Sequence, residues 1–329
     1  MKGKARLSAA RHIQSLLQET WLTSWELIRI TIPVAIITKI LELLGLVNLL
    51  GEMLEPVMAI IGLPGPLGLV WATGMLTNLY GGIAVFAALA PGLEISSAQL
   101  TVLAASMLFA HALPLELSVS RRAGAPFLPI GCLRIAAAIV YGYFLNLFCQ
   151  QYGVWQEKAA LLFYSSVQSG GLLEWMSQLV KNLGLIILII FCIVVGMRLL
   201  RVLGILALLE RILTPALPML GMTQKSAPIA VVGMVMGIGY GGALIIRETA
   251  KGEVSRSEVC NAMIFMGLCH GLVEDTLLML AIGGKLAGIF WARIAFSLVL
   301  TFLLVKVMQT ELFGKVIEYI EVHVKRYVR

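Results

Sequence analysis

The stretch GMLTNLYGG at residues 74–82 returns later in the chain as GMVMGIGYGG at residues 233–242. Its first glycine and methionine recur 159 residues later, and other distinctive residues keep the same spacing. These pairs are Pro56 with Pro215, Met107 with Met266, His111 with His270, and Arg134 with Arg293. The triplets Tyr80-Gly81-Gly82 and Tyr240-Gly241-Gly242 lie 160 residues apart, which implies one inserted residue that is lost again before the histidine. Matched proline, histidine and arginine at one spacing predict an internal duplication.

Composition places this duplicated chain in a membrane. Of its 329 residues, 59% are hydrophobic and 13% are charged, and the mean hydropathy is +0.93. Globular chains carry about 25% charged residues, so the sequence predicts an all-α polytopic membrane protein whose partner is the lipid bilayer. The net charge of +7 fits basic cytoplasmic loops, and no soluble basic domain is visible that would bind nucleic acid.

The duplication divides the chain into five predicted segments. They are a cytoplasmic amphipathic N-terminal segment (1–24), the first copy (25–153), a connecting segment (154–182), the second copy (183–308) and a basic cytoplasmic tail (309–329). Each copy predicts a spanning helix, a short amphipathic stretch, an apolar segment interrupted by Tyr-Gly-Gly, and two further spanning helices. The first spanning helices are expected at about Trp25–Leu50 and Leu183–Leu206, and the histidine-bearing ones at Ser97–Val119 and Ser257–Ile282.

The interrupted segments decide the topology. Adjacent glycines favour a break, and lipid tolerates a broken backbone only when protein buries it or when it lines a cavity. If these segments re-enter, each copy crosses three times, the copies are inverted, and 18 basic residues lie inside against three outside (Lys158, Lys181 and Lys285). If they span, the count is 14 against 7. The positive-inside rule favours inverted repeats with re-entrant hairpins, both termini in the cytoplasm, and hairpin tips that meet near mid-bilayer.

Two of the four histidines, His111 and His270, are repeat mates near the centre of a predicted spanning helix. Acidic residues follow both: Glu116 after the first, and Glu274 and Asp275 after the second. A charged side chain at the bilayer centre costs at least ~2.5 kcal/mol, so such residues persist where they face a cavity or one another. His270 and Glu274 are four residues apart and would share a helix face. A His–carboxylate pair could relay protons or take part in binding a cation.

Pro114 lies between His111 and Glu116 and predicts a kink that brings these two side chains to one face. The structural alternative is that the histidines and acids hold helices together, with Arg134 and Arg293 as counter-ions. Nearby methionine and cysteine sulfur atoms would suit a transition metal. A Met-rich stretch in an apolar helix more often reflects packing, so the sequence leaves metal ligation undecided.

The runs GMVMGIGYGG (233–242) and GLCHGLVEDTLLM (267–279) resemble the nucleoside-recognition, or Gate, domain of bacterial membrane proteins. The resemblance covers both copies, although the first copy, with HALPLEL at residues 111–117, keeps the histidine and one acid but not the Glu-Asp-Thr run. Gate domains form the membrane part of ferrous-iron transporters and spore-maturation proteins, and they are similar to the core of concentrative nucleoside transporters. The resemblance implies inverted repeats with re-entrant hairpins in the bacterial inner membrane.

The chain lacks a P-loop and an H-E-x-x-H motif, and the glycines of residues 237–242 lack the dinucleotide-binding spacing. We therefore expect no enzyme and no cofactor, but a secondary transporter of a small polar or charged solute, nucleoside-like or a cation, bound at the midplane between the copies. The alternative is a non-transporting membrane component that assembles with a partner, and a homodimer is left open. The expected binding residues come from the glycine breaks and the histidine helices: Thr77, Asn78, Tyr80, Gly81, Gly82, His111, Glu116, Gly239, Tyr240, Gly241, Gly242, His270, Glu274 and Asp275.

Overall fold

The computed structural model describes the backbone of residues 2–89, 93–160, 171–223, 225–252 and 254–310, but not the side chains at 2–13, 19, 23, 26, 27, 172, 239 and 240. Regular structure in these ranges is helical, and the one β pairing among them is the isolated bridge between Ser96 and Lys158. Four of the described helical stretches are long and apolar enough to cross a membrane, and a bent pair of helices adds a fifth if the pair is one span. The chain is thus an all-α polytopic membrane protein, as its composition predicts. Most of the basic tail, residues 311–329, lies outside the described ranges, as do residues 161–170 of the connecting segment.

The N-terminal segment and the first copy together hold seven helices among the described residues. They are α1 (Lys2–Leu43), α2 (Leu46–Ile60), α3 (Leu67–Leu76), α4 (Leu79–Leu89), α5 (Ser97–Phe109), α6 (Leu113–Arg122) and α7 (Phe127–Gln151). The second copy follows the same order. Its helices are α8 (Leu172–Val202), α9 (Ile205–Leu213) with a 3-10 turn (Thr214–Leu220), α10 (Ser226–Met236), α11 (Ile238–Ala250), α12 (Arg256–Leu268), α13 (Glu274–Ala281), and a π-helical segment (Ala287–Ala292) that continues into α14 (Arg293–Met308).

The first helix of each copy ends earlier than the sequence predicts. We expected spanning helices to Leu50 and Leu206, but α1 ends at Leu43 and α8 at Val202. Gly45 and Gly204 follow these ends with φ of 71° and 72°, a left-handed conformation that side chains disfavour. At Gly45 the chain turns by 96° into α2. The two glycines are repeat mates, so both copies make the same turn.

The boundaries of the histidine helices repeat at the 159-residue spacing. Helices α5 and α12 start at Ser97 and Arg256, and they end at Phe109 and Leu268. Each begins with a capping box, in which the N-cap serine accepts from the backbone N–H three residues on and that residue's side chain accepts from the serine N–H. Every residue of α5 except Gln99 is buried, and α12 is buried from Asn261 to Leu268. These two helices therefore form the centre of the molecule, with the long apolar α8 largely exposed outside them.

The interrupted segments fold as helical hairpins. In a straight helix, residues eight apart would be separated by about 12 Å. A Cβ placed on Gly82 would instead lie 3.3 Å from the Cα of Gly74, and one on Gly241 would lie 2.2 Å from the Cα of Gly233. Helix α3 therefore packs back against α4, and α10 against α11, with the glycines at the crossing.

The hairpins correct the alignment of the two copies. Gly82 and Gly241 lie 159 residues apart, and each crosses its partner helix beside the matched methionine, Met107 or Met266. The prediction of one inserted residue, made from the spacing of the Tyr-Gly-Gly triplets, is therefore wrong. The breaks also precede the triplets, since they fall at residues 77–78 and at Gly237, and both triplets lie in the first turns of α4 and α11.

Two loops decide between the crossing schemes. Lys285 Nζ lies 2.9 Å from Glu157 Oε1, and its backbone N–H donates to Thr101 Oγ1 at 3.1 Å. The hydrogen bond from Lys285 also lowers the pKa of the Glu157 carboxyl. If the interrupted segments spanned the membrane, the loop with Glu157 and the loop with Lys285 would lie on opposite sides. The ion pair puts them on one side, which agrees with re-entrant hairpins and three crossings in each copy.

Candidate functional site

Both histidine helices break immediately after their histidines. Helix α5 gives way to α6 through Ala112, whose φ is 46°, and α12 gives way to α13 through Gly271, whose φ is 55°. These two residues are repeat mates, and a positive φ is unusual for alanine. We expected one helix kinked by Pro114. The helix is instead interrupted before that proline, which occupies the first turn of α6, where its missing N–H leaves no helical hydrogen bond unmade.

The breaks fix the orientation of the two imidazole rings. His111 Nδ1 lies 2.9 Å from the carbonyl oxygen of Met107, and His270 Nδ1 lies 2.8 Å from that of Met266. Each of these carbonyls belongs to the residue four positions earlier. Because a carbonyl oxygen only accepts, both Nδ1 atoms carry the hydrogen. In the neutral rings, both Nε2 atoms therefore present lone pairs.

The two Nε2 atoms point at each other. They lie 3.2 Å apart, and Glu116 Oε1 lies 2.9 Å from His270 Nε2 and 3.4 Å from His111 Nε2. Asp275 Oδ2 lies 3.8 Å from His111 Nε2. The two histidines and Glu116 are buried, and Asp275 is half-buried. Repeat mates that touch each other lie on the two-fold pseudo-axis between the copies, so this histidine cluster belongs equally to both.

Each arginine supports the break of its own copy. Arg134 donates from Nε to the carbonyl of Phe109 at 2.8 Å and from Nη2 to that of His111 at 3.1 Å. Arg293 donates from Nη2 to the carbonyl of His270 at 2.7 Å, and its Nε lies 3.4 Å from that of Leu268. These carbonyls terminate α5 and α12, where helical partners are missing. Both guanidinium groups thus replace the helical donors at the two breaks.

The electrostatic pairing of the arginines is not symmetric. Arg134 Nη1 donates to Glu116 Oε2 in a buried ion pair. Asp275 is the repeat mate of Glu116, and its side chain is one methylene shorter. Within the described residues, Arg293 Nη1 is buried and has no hydrogen-bond partner. The carboxylate of the first copy is therefore held by an arginine and lies 2.9 Å from the opposite histidine, whereas Asp275 lies 3.8 Å from its opposite histidine and accepts no hydrogen bond from Arg293 Nη1.

Glu274 does not join the histidine cluster. We expected it to share a helix face with His270, but the break between α12 and α13 separates them and the Glu274 side chain is exposed. It lies within electrostatic range of Tyr80, which also interacts with Asp275. The constant 159-residue spacing was the signal for the correct pairing, because it matches Glu116 with Asp275 rather than with Glu274.

The hairpin tips approach the opposite copy. Tyr80 lies in the first turn of α4, near the acidic start of α13. In the other direction, a Cβ on Gly242 would lie 2.2 Å from Val119 Cγ1, so α11 packs closely on α6. Both tips thus lie beside the second half of the other copy's histidine helix. Gly239 has no side chain, and the side chain of Tyr240 lies outside the described residues.

Thr77 and Asn78 use their side chains within their own hairpin. Thr77 Oγ1 donates to the carbonyl of Thr73 at 2.7 Å, and Asn78 Oδ1 accepts from the N–H of Gly81 at 2.9 Å. The asparagine thereby caps α4. These bonds explain why both residues occur at the break, and the histidine cluster does not include them.

Comparison with known proteins supports the membrane location. The chain is 28% identical over 288 residues to an uncharacterized membrane protein of Bacillus subtilis (strain 168), YvoD, and the match covers 85% of this chain and 89% of that protein. The chain is a membrane protein. No family model matches it, and no solved structure matches it. Its resemblance to Gate domains stays a prediction from the sequence motifs.

Proposed function

We propose that the protein is a secondary transporter, not an enzyme, and that a small polar or charged solute binds at the histidine cluster between its two copies. The observation that carries this proposal is the meeting of His111 and His270, 3.2 Å apart, with Glu116 and Asp275 in the buried centre of a membrane protein. Ionisable groups are costly in that position and mark substrate or ion pathways in membrane proteins.

The surrounding backbone supports the same function. Helix breaks at Ala112 and Gly271 and the two hairpins place irregular backbone around the histidine cluster. Transporters built from repeats bind their substrates near the midplane, where broken helices expose N–H and C=O groups to the solute. The Gate-domain resemblance points to the same class of protein. It also suggests the bacterial inner membrane, with the copies inverted and both termini in the cytoplasm.

A thermal-shift screen on the purified full chain separates transport from the alternative, a scaffold that assembles with a membrane partner. A solute that binds only the folded state raises the melting temperature by mass action. We expect nucleosides or cations to do so in the wild type and to lose the effect in Asp275→Asn. If no solute of either class shifts the melting temperature, the scaffold is the better account.

A further inference from the structure

We propose that the histidine cluster is a binding site for a divalent transition-metal ion, held by His111 Nε2, His270 Nε2, Glu116 Oε1 and Asp275 Oδ2. This proposal names the solute class of the proposed transporter. It rests on that function only in treating the ion as cargo, because binding to these four atoms does not require transport.

The hydrogen-bond pattern supplies the first argument. Both Nδ1 atoms are occupied by the Met107 and Met266 carbonyls, so both Nε2 atoms present lone pairs to each other at 3.2 Å. Glu116 Oε1 adds a third acceptor at 2.9 Å from His270 Nε2. Three acceptors that converge in a buried site repel one another unless a proton or a metal cation lies between them, and a cobalt titration distinguishes the two.

The distances supply the second argument. Imidazole nitrogens bind Zn²⁺ at about 2.0–2.1 Å, so two of them on one tetrahedral ion lie about 3.3 Å apart. The observed Nε2–Nε2 separation is 3.2 Å, and Glu116 Oε1 lies 2.9 and 3.4 Å from the two nitrogens. Asp275 Oδ2 lies 3.8 Å from His111 Nε2, and the ligand atoms of Asp275 and the two histidines all lie within 4.8 Å of one another, so this carboxylate has to move inward to complete the tetrahedron.

Groups behind the four donors hold them in place. The carbonyls of Met107 and Met266 fix both imidazole tautomers, and Arg134 fixes Glu116 through its second oxygen. Metal-binding histidines generally donate their other N–H to a carbonyl or carboxylate in this way. The arrangement therefore has the outer hydrogen bonds of a metal site as well as its donor atoms.

The donor set indicates which ions fit. Met107 and Met266 pack against the hairpin glycines, since a Cβ on Gly82 would lie 2.6 Å from Met107 Cε and one on Gly233 would lie 2.1 Å from Met266 Sδ. With sulfur directed away, two imidazoles and two carboxylates favour Zn²⁺, Co²⁺, Fe²⁺ or Mn²⁺ over Cu⁺. Ca²⁺ and Mg²⁺, which prefer six or more oxygens, fit less well.

Cobalt titration of the chelator-treated full chain in detergent tests the site. We expect one Co²⁺ per chain with the visible absorption of a tetrahedral site, displaced by Zn²⁺ and not by Ca²⁺. His270→Ala should weaken binding by more than about 100-fold, because it removes a direct ligand and even outer-shell changes cost 10–100-fold. Asp275→Asn should weaken it more than Glu274→Gln, whereas Glu52→Gln, an exposed acid on α2, should leave it unchanged.

X-ray absorption of Zn²⁺ bound to the wild type gives a second readout that needs no variant. The spectrum should show two imidazole nitrogens and oxygen ligands at about 2.0–2.1 Å. It should show no sulfur ligand. The proposal would be overturned by any of three results: no stoichiometric site in the wild type, sulfur ligation of the ion, or full binding by a His111→Ala/His270→Ala variant. If wild type transports another solute and binds no metal, the metal site falls and transport stands. If the metal binds to these donors but is not carried into proteoliposomes, transport falls and the site stands.

Discussion

The buried pair of Arg134 and Glu116 allows a quantitative test of the asymmetry between the copies. Arg134→Met and Arg293→Met make the same change at repeat mates. Each variant removes a guanidinium group that donates hydrogen bonds to carbonyls at the end of a histidine helix. Only the first also removes the hydrogen-bonded cation of a buried carboxylate, because Arg293 Nη1 has no hydrogen-bond partner among the described residues.

The difference between the two variants isolates the unpaired charge. Removing one partner of a buried ion pair costs about 3–5 kcal/mol, while the carbonyl losses, about 1–3 kcal/mol for each unsatisfied group, occur in both. Arg134→Met should therefore melt at least about 6 °C below Arg293→Met, at roughly 2 °C per kcal/mol for a chain of this size. Adding Glu116→Leu to Arg134→Met removes the stranded charge and should recover most of that difference.

The assay is thermal unfolding of the wild type and the three purified variants in one detergent, followed by intrinsic fluorescence and size-exclusion chromatography. Equal melting temperatures for Arg134→Met and Arg293→Met would refute the reasoning. So would a Glu116→Leu/Arg134→Met variant that is less stable than Arg134→Met alone, because Glu116 would then stabilise the fold without its cation.

Three further predictions concern the hairpins, the cap and the topology. Gly241→Ala should destabilise the protein far more than Gly74→Ala in the same melting assay. A Cβ on Gly241 would lie 2.2 Å from the backbone of Gly233, whereas the nearest atom to a Cβ on Gly74 is a methionine methyl group at 3.5 Å. Equal effects of the two substitutions would argue against the close crossing. Asn78→Ala should lower stability by about 1 kcal/mol through loss of the α4 cap and leave Co²⁺ affinity unchanged, and a large affinity loss would return Asn78 to the binding site. Cysteines at Gln156 and Lys285 should react with an impermeant reagent from outside, and those at Ala123 and Lys225 only after permeabilisation; external labelling at Ala123 would contradict the inverted topology.

Repeat spacing predicted much of this structure because it records long-range equivalence that local patterns do not. The matched histidines, arginines and glycines identified the central helices and the hairpins. Local rules failed where the helix is interrupted. The four-residue rule placed Glu274 beside His270, but it holds only in a continuous helix, and α12 ends between them.

The causes of those interruptions lie far away in the sequence. Arg134 reaches carbonyls 23 and 25 residues earlier, and Arg293 does the same in the second copy. Once a guanidinium supplies these donors, the helix loses little by ending at the histidine. A sequence window around Pro114 contains no sign of this, which is why it suggested a kink rather than a break.

Uptake into proteoliposomes tests the central claim most directly, with divalent metal ions offered first and nucleosides second. The account predicts saturable uptake by the wild type and by Glu52→Gln. For Asp275→Asn it predicts a loss of more than about 10-fold, since a charge-assisted contact contributes about 1.5–3 kcal/mol. Wild-type uptake that Asp275→Asn retains in full, or no uptake of either class by the wild type, would contradict transport through the histidine cluster.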